Sequence, residues 1–228
     1  MSKAVKRFLK FIIYNTVPNS FRLRYIVNIP LFTEWKKKYK GKPVTFNTRF
    51  EMFDFINKNI LTKDAIDYLE FGVYKGDSIK YFSSINSNNN STFTGFDSLE
   101  GLPEDWLELS RTVKSNTFDV EGKLPETDDT RISFIKGMFQ TTLSNFIKGY
   151  KSNNQMVIHI DCDIYSATLF VLTHMNELIK PGTIIIFDEF YSLLHEFRAL
   201  EDYSSSYLRD YQVVSMTDNY DQVAIKML

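Results

Sequence analysis

Five short apolar runs, separated by polar or helical stretches, set the architecture open to this chain. They are Ile66–Phe71, Thr92–Phe96, Ile132–Ile135, Met156–Ile160 and Thr183–Phe187. Between them, Ser78–Ser84, Thr141–Tyr150 and Thr168–Ile179 carry apolar residues at helical spacing, and Pro181-Gly182 ends the last of these before its strand. Strand and helix in alternation predict a parallel sheet with helices on both faces. The central runs MVIHI and TIIIF are continuously apolar, as strands covered on both sides are. Tyr211–Ser215 and Gln222–Lys226, joined by a polar loop, read as a closing hairpin. The expectation is an α/β fold: five parallel strands finished by an antiparallel pair, seven in one mostly parallel sheet.

The N-terminal segment differs in kind. Residues 1–50 hold twelve Lys/Arg against one acid, Glu34, a charge of +11, while the other 178 residues carry −12; the whole chain is at −1. Val5, Phe8, Leu9, Ile12 and Ile13 recur at helical spacing, with Lys3, Lys6, Arg7 and Lys10 mostly elsewhere on the wheel, which predicts a short amphipathic helix. Such a helix suits weak contact with a membrane surface, or it packs on its own acidic domain or on a partner subunit. Pro18, Pro30 and Pro43 punctuate the next thirty residues, which read as irregular. The chain therefore divides into a basic arm with short helices, 1–48, and a ligand-binding α/β domain, 49–228. No run approaches the ~20 apolar residues of a membrane span. The opening MSKAVKRFLKFIIYN does not read as a signal peptide, because Lys10 interrupts its apolar stretch and no small-residue cleavage site comes after it. A lone cysteine, Cys162, excludes a disulfide framework and suits a reducing compartment, so a cytoplasmic location is expected.

In an open α/β sheet, ligands bind beyond the carboxyl ends of the strands. Those ends read Glu70-Phe-Gly72-Val-Tyr-Lys-Gly76, Asp97-Ser98, Lys136-Gly137, Asp161-Cys-Asp163 and Asp188-Glu189. So many acids at one rim repel one another unless a cation or hydroxyl donors lie between them. Gly72 and Gly76 allow a ligand to approach the turn closely, without the G-x-G-x-x-G of a dinucleotide site. Asp97, at the next strand end, is placed to accept both hydroxyls of a ribose. Asp161, Asp188 and Glu189, from neighbouring ends, suit a hard cation such as Mg²⁺. Asp163 joins them or caps the helix that begins near Ser166.

YLEFGVYKGDS, GFDSLEGLPEDW, FIKGMFQTTL, HIDCDIYSAT and PGTIIIFDEF, in this order and spacing, resemble the macrocin O-methyltransferase (TylF/MycF-type) family, from about Arg49 to Glu201. The resemblance implies a Rossmann-like class I fold and an enzyme that methylates a sugar hydroxyl with S-adenosylmethionine and Mg²⁺. It implies that Glu70, Gly72 and Gly76 form the cofactor loop, that Asp97, with Ser98 beside it, binds the ribose, and that Gly137 and Met138 lie against the adenine. It matches Asp161 to the first acid of the family's D-G-D and Asp188-Glu189 to its Asp-Asp metal pair; Cys162 and Glu189 are departures. On this reading Asp161 is the catalytic residue, with the general base open among Asp161, Asp163, His159 and His195. His159, inside an apolar strand, reads also as a core histidine.

The segment Leu102 to Arg131 is long, polar and acidic, and is expected to cover the acceptor, with Tyr165 and Tyr191 near the metal ends. The partner expected is a sugar-containing small molecule; the acidic body disfavours nucleic acid, and a homo-oligomer is expected. Two alternatives stand beside this reading: a glycosyltransferase using Asp161-x-Asp163 with a nucleotide sugar, and a cofactor-binding module without catalysis.

Overall fold

In the computed structural model, which describes residues 2–16, 20–61, 64–151 and 154–228, eight strands form one sheet. In chain order the elements are α1 (Lys3–Thr16), α2 (Phe21–Tyr39), β1 (Val44–Phe46), α3 (Arg49–Phe55) running into a π-helical turn (Ile56–Ile60), β2 (Ile66–Phe71), α4 (Asp77–Ile85), β3 (Thr92–Asp97), β4 (Trp106–Leu107), β5 (Thr112–Val113), β6 (Ile132–Lys136), α5 (Phe139–Gly149), β7 (Gln155–Ile160), α6 (Tyr165–Met175), β8 (Ile184–Phe187), α7 (Glu196–Ser206), β9 (Tyr211–Thr217) and β10 (Val223–Met227). The strand order is β1-β9-β10-β8-β7-β2-β3-β6. The pairs β2·β3, β3·β6, β2·β7 and β7·β8 are parallel, and β10 runs antiparallel between β8 and β9. This is the mostly parallel α/β sheet the alternation predicts, in the Rossmann-like class I form the resemblance implies. The difference is an eighth strand, β1, parallel to β9 at the edge. Three residues long and mostly exposed, it carries no periodic signal a sequence could display.

Alternation along the strands sorts the side chains onto two faces. Ile66, Tyr68, Val157, Ile184 and Ile186 pack with Met52 and Phe53 of α3 and Ile79 and Phe82 of α4. Leu69, Phe71, Ile158, Ile160, Ile185 and Phe187 pack on the other face with α6 and α7. Helix α3 begins at a capping box. The Thr48 side chain accepts from the Glu51 amide, and the Glu51 carboxylate accepts from the Thr48 amide, so Arg49 is fixed as the first helical residue.

The segment read as irregular is instead helical: α2 runs nineteen residues with Pro30 inside it, and Pro18 lies outside the described residues. Proline at that position leaves the Ile26 carbonyl without its i+4 amide. Packing offsets the loss. Trp35 and Tyr39 are buried; Trp35 tilts against Phe190, Tyr39 stacks on Tyr211, and the Trp35 indole N–H donates to the Tyr211 hydroxyl at 3.1 Å. Among the described residues no helix is long and apolar enough to cross a membrane.

At the centre of the sheet, strands switch from one side of β2 to the other, since β3 and β6 extend one way and β7 and β8 the other. Gly72 follows β2 at this switch with φ +92°, and a Cβ there would stand 1.7 Å from the Asp161 carbonyl oxygen. No other residue type fits without moving backbone. Gly72→Ala is therefore expected to lower the unfolding free energy by about 2–4 kcal/mol. A urea titration with unchanged slope and an earlier midpoint checks it.

Candidate functional site

The strand ends are level across the sheet. Phe96 pairs with Phe71, Phe71 with Ile160 and Ile160 with Phe187, so Asp97, Gly72, Asp161 and Asp188 emerge side by side. Each exit is tied to its neighbour. Gly72 N–H donates to Phe96 O, Asp161 N–H to Phe71 O, Asp188 N–H to Ile160 O and Gly137 N–H to Asp97 O, at 2.9–3.0 Å. A cleft of about 1060 Å³, counted with its open mouth, lies beyond them. Gly72, Asp97, Ser98, Gly137, Met138, Asp161, Asp188 and Glu189 all line it. Two sequence-predicted residues do not. Gly76, φ +77°, starts α4 and abuts Pro125. Glu70 is buried beneath the loop, accepting from the Tyr68 hydroxyl at 2.8 Å and lying 3.2 Å from His159 Nδ1.

Asp97 is largely engaged by backbone. Its Oδ2 accepts from the Val73 and Tyr74 amides at 2.7 and 2.8 Å and its Oδ1 from Leu99 N–H at 2.7 Å, which stitches the loop after β2 to the loop after β3. A carboxylate offers about four acceptor positions. One remains for a ligand hydroxyl, where the sequence suggested two.

Beyond Gly72 the cleft turns acidic. Asp161, Asp163, Asp188 and Glu189 line it, and Glu196, fully buried, sits behind, accepting from the Cys162 amide at 3.3 Å. Ligand atoms of Asp161, Asp163 and Glu189 lie within 4.8 Å of one another, and so do those of His159, Asp161 and Asp188. The expected trio of Asp161, Asp188 and Glu189 is thus drawn into two overlapping groups that share Asp161. Asp163, held at φ +61°, does not cap α6, whose first turn follows Ile164 with no side-chain cap. Its carboxyl instead lies among the acids, within 4.8 Å of those of Asp161 and Glu189.

One cation faces these acids. Arg49 is the single basic side chain among the lining residues, and its Nη1 donates to Asp188 Oδ2 at 3.0 Å. Burial alone would lower its pKa; Asp188, then Asp161 and Glu189, outweigh that and hold it charged. One guanidinium does not neutralise five carboxylates. Burial, and after it the neighbouring charge of Asp188, raises Asp161, Glu189 and Glu196 well above the carboxylate range and pushes Asp163 up to about 7. Asp188 Oδ1, Glu189 Oε2, Glu196 Oε2 and His159 Nε2 are buried with no hydrogen-bond partner among the described residues. Unpaired buried oxygens around a deficit of positive charge are the donor set a hard divalent cation takes. The residues present fit one.

A family described as a methyltransferase domain matches residues 69–190, which span β2 to just past β8 and so contain every strand end that borders the cleft. The chain belongs to this methyltransferase family. Solved structures share its fold. CalS11, a calicheamicin methyltransferase, is 17% identical, with 96% of this chain and 90% of that one covered at a TM-score of 0.61. An apo structure of CalS11, described as a TDP-rhamnose 3′-O-methyltransferase, gives 16%, 96% and 91% at 0.57. The O-methyltransferase NovP is 19% identical over 78% of each chain at 0.52. No curated protein matches the sequence.

The segment between β3 and β6 closes over this methyltransferase cleft. It contains a small hairpin, β4 and β5, and is pinned to the residues after β8. Trp106 is buried and its indole N–H donates to Ser192 Oγ at 3.4 Å; the Tyr191 hydroxyl donates to Glu108 at 2.8 Å; Ser166 Oγ donates to Glu104 at 2.5 Å. Leu102, Pro103 and Phe118 line the cleft, but Tyr165 and Tyr191 do not, and the Tyr165 hydroxyl is engaged by Asp202 at 3.0 Å. His195 is engaged too. Nδ1 accepts from the Tyr165 amide at 3.2 Å and Nε2 faces Leu107 O at 2.9 Å, which fixes the proton on Nε2. Burial lowers its pKa, so it stays neutral and joins α7 to the lid.

Three residues of the site carry little functional signal in the sequence. Arg49 is legible only as a helix start through Thr48-x-x-Glu51, because its partner lies 139 residues away. Glu196 sits in a helix, α7, that the apolar spacing does not reveal. His159, read as core, is indeed buried, yet Nε2 has no partner among the described residues and the ring joins Asp161 and Asp188.

A raised carboxyl pKa has a definite sign in stability. Between about pH 4 and 7 the folded state keeps a proton on Asp163 that the unfolded chain releases, so stability falls as pH rises through that window. In EDTA, the melting temperature is expected to be lower at about pH 8 than at about pH 5.5 by roughly 5 °C. Asp163→Asn should lessen that dependence without abolishing it, since Asp161, Glu189 and Glu196 are raised as well, as calorimetric scans across the range would show.

Proposed function

We propose that the chain transfers a methyl group from S-adenosylmethionine to a sugar hydroxyl, with a divalent cation such as Mg²⁺ at the acid cluster, as in the macrocin O-methyltransferases it resembles. The observation that carries this reading is the buried carboxylate cluster, short of positive charge, opening into the same cleft as the glycine turn of a methyltransferase fold. The sugar-nucleotide acceptor named for CalS11 supports the choice of acceptor class.

The glycine turn at Gly72 leaves room for the amino-acid part of the donor, with Gly76 starting the helix behind it. Asp97 would accept one ribose hydroxyl at its remaining position, with Ser98 beside it, and Gly137 and Met138, which line the cleft, would lie against the adenine. Glu70 acts from below, orienting His159 through Nδ1. Either of the two overlapping groups, Asp161 with Asp163 and Glu189 or Asp161 with Asp188 and His159, would hold the cation. When bound, the donor supplies a methyl already activated for displacement, and the cation supplies charge that makes a nearby hydroxyl more acidic. The acceptor's proton goes to Asp161 or Asp163 at a carboxylate oxygen, or to His159 at Nε2; His195 has no free nitrogen for that task. The lid from Leu102 to Phe118 excludes water from the acceptor.

Calorimetry with S-adenosylhomocysteine, followed by turnover on a panel of sugar nucleotides with Mg²⁺ or EDTA, tests the parts separately. Asp161→Asn is expected to keep product binding within about threefold while lowering turnover by about 10³-fold. Asp97→Ala is expected to weaken product binding by about tenfold or more. Equal loss of binding in both variants would mean the roles are misassigned. Turnover indifferent to EDTA would remove the cation, and protection by a UDP-sugar without protection by the methyl donor would favour glycosyl transfer.

A further inference from the structure

Helix α1 stands apart from the rest of the molecule. Its fourteen residues include none that is buried, and Phe8, Phe11, Ile13 and Tyr14 are each more than half exposed. At 3.6 residues per turn, Lys3, Lys6, Arg7 and Lys10 fall in an arc of about 100°, and Val5, Phe8, Leu9 and Ile12 occupy the opposite side. None of the ion pairs among the described residues involves those four cations. A helix this short that buries nothing is marginal in water, because helical stability comes chiefly from packing an apolar face. Its start is capped, with Val5 N–H on Ser2 Oγ at 3.4 Å, so the sequence specifies a helix for which the fold provides no docking surface.

The chemistry of the two faces selects the occupant. Residues 1–33 contain no acid at all. A second α1 could cover the apolar face but would add four more cations and no counter-charge. The acidic body of another copy could supply charge but not depth for Phe8 and Ile12. A surface of anionic headgroups over acyl chains satisfies both faces of one helix. We propose that α1 is an interfacial anchor, lying with its apolar face sunk in an anionic lipid surface and its lysines and arginine at the phosphates.

Sedimentation of the full chain with vesicles tests this. With about 30% phosphatidylglycerol in phosphatidylcholine the protein should pellet with an affinity at least roughly tenfold above that for pure phosphatidylcholine. Raising salt from about 0.1 M to about 0.5 M should release it. Phe8→Glu with Ile12→Glu should abolish pelleting at low salt while leaving the melting temperature and methyl-transfer activity unchanged, since neither side chain touches the core. No pelleting with anionic vesicles, or pelleting that survives the double variant, overturns the proposal. So does a wild-type dimer that ignores vesicles and becomes a monomer in the double variant, which would make α1 an interface between copies.

Discussion

The register of four parallel strands decides where everything else stands. Phe96, Phe71, Ile160 and Phe187 are cross-strand partners in sequence across the sheet; Gly72, Asp161 and Asp188 are the first residues to leave it, and Asp97 is the last residue of β3. A slip of one residue in any pair would turn that strand's side chains to the opposite face, burying a carboxylate in the core and breaking both apolar layers. The two layers, one under α3 and α4 and one under α6 and α7, therefore fix the acids' positions more firmly than any contact among the acids. The acids contribute no stability there; buried like charges raise one another's pKa instead. The fold holds in place a cluster that would disperse if left to itself.

Arg49 offsets part of that repulsion. The capping box fixes it at the start of α3, and its guanidinium meets Asp188 at 3.0 Å while a third of its side chain stays exposed. A pair with one exposed partner is weak and easily exchanged. It offsets some of the repulsion at Asp188 and leaves Asp188 Oδ1 without a partner among the described residues.

The parallel sheet and its closing hairpin were legible because fully buried strands and amphipathic helices write their periods into the sequence. Ile66–Phe71 coincides with β2 residue for residue. The acids at the strand ends were legible for a related reason, since topology alone says where strand ends meet. What the sequence concealed depended on contacts between distant residues. Pro30 argues locally against a helix, yet α2 continues through it because Trp35 and Tyr39 find aromatic partners on the body. Asp97 has the right place and residue type for a ribose acid, but nothing local states that three backbone amides already occupy it. His195 likewise carries the composition of a base and the hydrogen bonds of a strut.

Asp161 joins the two halves of the cleft. Its backbone carbonyl is the atom that forbids a side chain at residue 72, so it forms one wall of the glycine cradle. Its carboxyl belongs to both acid groups. Backbone and side chain of one residue cannot move apart by more than a rotamer, and the amide is anchored to Phe71 O at 2.9 Å. The separation between whatever occupies the cradle and whatever the acids hold is thereby set by covalent geometry. In-line transfer depends on that distance being held to within a fraction of an ångström. On the proposed function, a glycine at 72 and an aspartate at 161 form a single device, the first giving the close approach and the second giving the reach.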